Sequence, residues 1–256
     1  MRILTIANHK GGTGKTATTR TLGDVLARKG YKVLLMDLDP QSSLTTSCGY
    51  SEADPNLTDV IGGSQPGSKA IKEIVLHIGD NLDLAPSNLA MAKTEQDIFS
   101  RLSREYIVKK ALAEVANKYD VCLIDCPPSL SLLVINALAA SEAVLIPTQP
   151  MPIDVAGVKL FLDTINAVRD SLNVDLSILG VLTTFYDDRL NTHKAGVKSM
   201  KKAGWPVLPV MIGRSVRVGE SAALGESIMT FEPGNPQAAA YEELGGLIEL
   251  WLKKTR

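Results

Sequence analysis

Short apolar, β-branched runs alternate along the chain with longer stretches in which apolar residues recur every three or four positions. RILTIA (Arg2 to Ala7), KVLLMD (Lys32 to Asp37), NLDLAPS (Asn81 to Ser87), DVCLIDC (Asp120 to Cys126), EAVLIPT (Glu142 to Thr148), LSILGVLTTF (Leu176 to Phe185) and WPVLPV (Trp205 to Val210) read as strands. Few polar residues interrupt them, so both faces of their sheet are expected to be covered. Between them, TATTRTLGDVLARKG and SREYIVKKALAEVANK carry the spacing of helices lying on a sheet. This alternation predicts βαβ units and one α/β domain over residues 1–256: a mostly parallel, twisted central sheet with helices on both faces. Ser51 to Ser68, rich in Gly, Pro, Ser and Asp, is expected to be one long loop.

Composition narrows the class. The 256 residues are 45% hydrophobic with a formal net charge of −1, which suits one well-packed domain rather than a polyelectrolyte. No run of 18 apolar residues occurs, and MRILTIANHKGG leads straight into a strand and loop without a signal-peptide pattern, so a cytoplasmic protein is expected. Cys48, Cys122 and Cys126 match no disulfide or zinc spacing and read as reduced thiols, Cys122 as a core residue.

The chemistry is concentrated in ANHKGGTGKTATT, Ala7 to Thr19, between the first strand and the first helix, where a phosphate-binding loop belongs. Counting back from Gly14, Lys15 and Thr16, the general P-loop pattern would place a glycine where His9 stands. Gly11 and Gly12 supply the freedom instead, letting backbone N–H groups turn toward phosphate oxygens at the helix N-terminus. Lys15 is then expected to neutralise β and γ phosphates and the Thr16 hydroxyl to ligate Mg²⁺. Asp37 and Asp39 end the second strand at a spacing of two, and Asp125 ends the strand VCLID as a Walker-B acid does. A single aspartate at a strand end is commonly a turn residue, but three beside one such loop point to a metal–nucleotide site.

KGGTGKT, DLDPQ, LIDCPPSLSLLVINAL and VLIPTQP, in this order and spacing, resemble the ParA/Soj partition ATPases. These belong to the deviant-Walker P-loop group, which also includes MinD and the nitrogenase iron protein. The resemblance covers Arg2 to about Glu243. It implies an ATPase using ATP and Mg²⁺ that forms a nucleotide-sandwich homodimer, with Lys10 reaching the phosphates of the partner's ATP as an arginine finger does. It further implies that Lys10, Gly11, Gly12, Thr13, Gly14, Lys15, Thr16 and Ala17 bind nucleotide, with Lys10, Lys15 and Asp39 catalytic. Asp39 would position the attacking water, and Thr16, Asp37 and Asp125 would hold Mg²⁺ or its waters. Ala17 departs from the second threonine of many relatives, which removes one hydroxyl contact. For the adenine the resemblance implies strand ends near Thr184, Phe185, Pro209 and Met211.

Charge distribution bears on what the ATPase controls. From Thr183 to Arg217 seven Lys or Arg face two Asp, and Lys194, Lys198 and Lys202 recur every four residues, with Lys201 beside them. Such a stripe is ordinarily a solvated helix face; IGRSVRVGES, with Arg214 and Arg217, resembles the family's PRNVRLSE stretch, which implies binding of nonspecific double-stranded DNA on the nucleoid. No winged-helix segment precedes the first strand, so operator-specific binding is not expected. The implied partner is a ParB-like or other adaptor, and the cargo a plasmid or chromosome, or alternatively a protein assembly such as a carboxysome or chemoreceptor cluster. A MinD-like membrane role would use LIELWLKKTR (Leu247 to Arg256), which equally fits the end of a packed helix. An iron-protein-like reductase lacks a second well-placed cysteine beside Cys126, and no acceptor motif argues for a metabolic kinase or ligase.

Overall fold

A computed structural model describes residues 1–62 and 67–254. In chain order the elements are β1 (Arg2–Ile6), α1 (Lys15–Arg28), β2 (Val33–Asp37), α2 (Ser43–Ser47), α3 (Leu57–Ile61), β3 (Leu76–Gly79), β4 (Leu82–Ala85) and α4 (Met91–Ile98). There follow α5 (Ile107–Ala113), β5 (Val121–Asp125), α6 (Leu132–Ala140), β6 (Ala143–Thr148), α7 (Pro152–Ser171) and β7 (Ser177–Tyr186). The chain ends with α8 (Asn191–Lys202), β8 (Val207–Gly213), α9 (Val216–Ala223), α10 (Ile228–Phe231) and α11 (Pro236–Lys253).

The strands form one sheet in the order β3-β4-β2-β5-β1-β6-β7-β8, parallel except for the β3–β4 pair. Alternate residues of each strand enter different cores. Val33 and Leu35 pack with α1 and α11 on one face, whereas Leu34 and Met36 pack with α3 to α8 on the other. This doubly covered sheet explains the nearly uninterrupted apolar runs. Because β1 lies between β5 and β6, the chain crosses from one half of the sheet to the other around it. That is the topological switch point at which open α/β sheets bind ligands, beyond the carboxyl ends of their strands.

Three expectations are corrected. Ser51 to Ser68 is not one loop: it holds α3, started by a capping box in which Thr58 N donates to Asn56 Oδ1 (2.9 Å) and Asn56 N donates to Asp59 Oδ2 (3.0 Å). Residues 63–66 of that stretch lie outside the described residues. β3 escaped the sequence reading because it is a four-residue edge strand with an exposed histidine, joined to β4 by a tight turn with Asn81 at φ 59°. β8 begins and ends later than WPVLPV and runs on to Gly213, which brings Ile212 and Gly213 to the switch-point end.

LIELWLKKTR forms the end of α11, apart from Thr255 and Arg256, which lie outside the described residues. Its apolar face is buried through Leu244, Ile248 and Trp251. Gly245 sits so close to α1 that a Cβ there would come within 2.3 Å of Val25 Cγ1. No helix among the described residues is long and apolar enough to cross a membrane.

Candidate nucleotide and metal site

The loop between β1 and α1 needs its glycines. Gly12 and Gly14 have φ of 71° and 83°, a region costly for residues with a Cβ. Two neighbours fix the loop: Thr184 Oγ1 donates to Thr13 O (2.9 Å) and Gln149 Nε2 donates to Gly12 O (2.9 Å). No side chain caps α1 at Gly14, so its first-turn N–H groups are left for a ligand. Lys15 Nζ folds back across the loop to donate to Lys10 O (3.1 Å), and burial lowers its pKa against the raising effect of Asp125, Cys126 and Asp39.

The two lysines have separate surroundings. Lys10 Nζ lies 2.6 Å from Oδ1 of Asp154, a buried carboxylate in the first turn of α7, in an ion pair not aligned as a hydrogen bond. His9 packs on the same helix, where a Cβ at Gly157 would approach its Cε1 to 2.3 Å. The residue that replaces the first glycine of the general pattern thus docks the loop on α7.

The three aspartates converge, two of them as partners on neighbouring strands and the third from beyond a strand end. β2 and β5 pair in register with Asp37 opposite Asp125, which sets two fully buried carboxylates side by side on the α1 face. Thr16 Oγ1 donates to Asp125 Oδ2 (2.7 Å) and Thr19 Oγ1, three residues on, donates to Oδ1 (3.3 Å). Asp37 Oδ2 accepts from the N–H (2.8 Å) and hydroxyl (2.7 Å) of Thr45. Asp39 lies beyond the end of β2, so the period-two argument for it fails. Its N–H donates to Asp37 Oδ1 (3.1 Å), while its own Oδ1 accepts from Gln41 N (2.9 Å).

Burial pushes Asp37 up to about 6, opposed by its bonds from Thr45 and Asp39 and assisted by the Asp39 charge. Burial, reinforced by the charge of Asp37, also raises Asp125, against the Thr16 bond and Lys15. Two crowded carboxylates that resist ionisation fit a site completed by a cation. Among the described residues no group of three or more His, Cys, Asp or Glu side chains could hold a metal alone. Thr16 beside Asp37 and Asp125 is a sparse oxygen donor set of the kind that suits Mg²⁺, which keeps waters and takes phosphate oxygens rather than an all-protein cage.

Beside the loop lies a cavity of about 360 Å³ whose wall includes Gly14, Ala17, Thr184, Phe185, Ile212 and Gly213. Phe185 has φ 50°, a strained backbone for an aromatic residue, and its ring lies where a Cβ on Gly14 would be 3.5 Å from Cε2. Thr184 and Phe185 line this cavity, whereas Pro209 and Met211 do not. Pro209 is exposed on the edge strand, and Met211 packs into the opposite core from Val210 and Ile212.

A family model described as an AAA domain matches residues 1–178. The sporulation initiation inhibitor protein Soj of Bacillus subtilis is 38% identical over 95% of this chain and 96% of its own. The chromosome partitioning protein ParA of Caulobacter vibrioides is 36% identical over 95% of this chain and 92% of its own. This chain belongs to the ParA/Soj family of partition ATPases. Among solved structures, it superposes with a TM-score of 0.89 on a cobyrinic acid a,c-diamide synthase from Mycobacterium smegmatis with bound ATP analog and magnesium. That match has 33% identity and covers 100% of this chain and 97% of the other.

The basic region of this ParA-type chain divides in two. On α8, Lys194, Lys198, Lys201 and Lys202 are exposed while His193, Val197 and Met200 are buried, so the lysines share one face. They and exposed Arg214 make no ion pair among the described residues. Arg189 is paired with Asp187; Arg217 is paired with Glu220 (2.6 Å) and Glu232 (2.9 Å) and stacks on Phe231. Arg217 therefore already has two carboxylate partners within the chain. Cys48, Cys122 and Cys126 are all free and buried, and burial raises each thiol. Sequence reasoning missed Thr19, Thr45, Gln149 and Asp154. The register of β2 with β5 and the packing of α7 bring them in, and neither is written in local spacing.

Proposed function

We propose that residues 1–256 act as one ATP-driven switch: two subunits close around two Mg·ATP, the dimer binds DNA nonspecifically, and hydrolysis releases it. The reading rests on family membership, and the observation that carries its DNA arm is the continuity of Arg214 with the nucleotide cavity. Gly213 and Ser215, on either side of Arg214, both line that cavity. A nucleotide held there would fix the backbone that presents Arg214, which explains how DNA affinity could follow nucleotide state.

Within the site, Lys15 and the loop N–H groups bind the terminal phosphates, Thr16 ligates Mg²⁺, and Asp37 and Asp125 orient its waters. When bound, Mg²⁺ neutralises charge on the transferring phosphoryl group. Asp39, beyond the end of β2, orients the attacking water, and Lys10 acts on the partner's nucleotide after leaving Asp154. Thr184 and Phe185 hold the nucleoside side. A ParB-like adaptor stimulates turnover and selects the cargo.

The test is binding to random-sequence duplex DNA with ATP, ADP or no nucleotide, at two salt concentrations, with liposomes as a parallel target. Binding should require ATP, fall steeply with salt, and be lost in Lys198→Glu/Lys202→Glu and in Arg214→Glu while ATP binding persists. Salt-independent DNA binding, or ATP-dependent binding to liposomes alone, would refute it.

A further inference from the structure

The cavity beside the phosphate loop extends along α1 beyond the residues a triphosphate would touch. One turn past Thr16, about 6 Å along the helix axis, its wall includes Arg20. Arg20 is 8% exposed, and its Nε and Nη1 are buried with no hydrogen-bond partner. The surrounding wall offers Ser43 and Ser47 of α2, Ser221 of α9 and the carboxylate of Glu226, none of which accepts from Nε or Nη1, with Val218 and Ile212 as apolar sides.

A buried guanidinium without an acceptor is costly, and the cost is removed if a ligand supplies one. Three facts limit that ligand. The cavity is continuous with Gly14, Thr16 and Ala17, so a nucleotide whose phosphates rest on the loop has its nucleoside half at this opening. The surface it exposes is mostly apolar, although many of its lining residues carry hydroxyls, and such a mixture suits the flat face and polar edge of a base. The groups that adenine can offer to a donor are its ring nitrogens, since those atoms carry its unprotonated lone pairs.

We infer that Arg20 is a base-contacting residue, whose guanidinium donates to a ring nitrogen of the purine and seats the nucleoside between α1, α2 and α9. The assignment rests on the reading of the glycine loop as the triphosphate site. It adds a charged, base-directed contact to a cavity for which the sequence suggested only strand ends.

The experiment compares wild type with Arg20→Met by calorimetric binding of ATP, 1-deaza-, 3-deaza- and 7-deaza-ATP, and inorganic tripolyphosphate. Arg20→Met should weaken ATP roughly tenfold to hundredfold, the range for a hydrogen bond to a charged group. Wild type should lose a similar factor with one of the three deaza analogues, to which the variant is indifferent, and tripolyphosphate should bind both proteins equally. Turnover should show a raised KM with kcat unchanged. Because the guanidinium makes no bond through Nε or Nη1, the variant should melt no lower than wild type. Equal binding of all analogues by wild type, or an equal loss of tripolyphosphate affinity in the variant, would overturn the assignment. Failure of wild type to bind both ATP and tripolyphosphate would instead overturn the phosphate-loop reading, and this assignment with it.

Discussion

Asp37→Asn offers a direct measure of the electrostatics at the centre of the site. Burial holds the Asp37 pKa at about 6 against an ordinary value of 3.8, so the folded, metal-free chain keeps a proton that the unfolded chain releases. The sign follows: for a raised carboxylate the stabilisation is complete below about pH 3.8 and is lost as pH rises through 6. A shift of about two units corresponds to about 3 kcal/mol in all, of which about 2 kcal/mol falls between pH 4 and pH 7. Urea unfolding in chelator across that range should therefore show wild type losing about 2 kcal/mol relative to Asp37→Asn, which cannot ionise. The asparagine disturbs the donors from Thr45 and Asp39, but that offset does not depend on pH. Saturating Mg·ATP should flatten the slope, because a cation favours the ionised carboxylate. A difference that stays constant with pH in chelator would refute the reasoning.

Two further variants test separate parts of the site. Lys10→Ala leaves buried Asp154 without its cation and should cost the monomer about 1–2 kcal/mol by urea unfolding, less than a fully buried pair because Lys10 is partly exposed. The same variant should bind ATP yet fail to dimerise by light scattering, and normal dimerisation and turnover would remove the role in trans. Asp39→Ala should retain ATP affinity while phosphate release slows by about a hundredfold or more and the dimer persists, on the scale of losing a general base; full turnover would contradict the water-positioning role.

The sheet was legible in the sequence because two-sided burial leaves a local record: Leu34 and Leu35 are both apolar although they enter different cores. The phosphate loop was legible for a similar reason, since Gly12 and Gly14 adopt φ values that few other residues tolerate. β3 was not, because an edge strand with exposed His77 needs little apolar surface. α3 was hidden by composition, although Asn56 and Asp59 already carried its capping box. Which residues of β8 reach the cavity was not legible, because an apolar edge strand shows no alternation from which its facing residues can be read. The pairing of Asp37 with Asp125 lay beyond any local signal, since it depends on the register of strands 88 residues apart in sequence.

That register also places one short segment, α2, against both the paired carboxylates and the cavity. Asp37 accepts two bonds from Thr45, the middle residue of α2, so its charge state bears directly on where that helix sits. α2 packs against α9, and Ser47 of α2 lines the cavity alongside Ser221 and Val218 of α9. Arg214 stands at the head of α9, between two residues that line the same cavity. A cation at the carboxylates and a base beside Arg20 would therefore act on the two sides of one helix pair. Neither needs a separate route to the basic face, because α9 joins the nucleoside cavity to the strand end that carries Arg214.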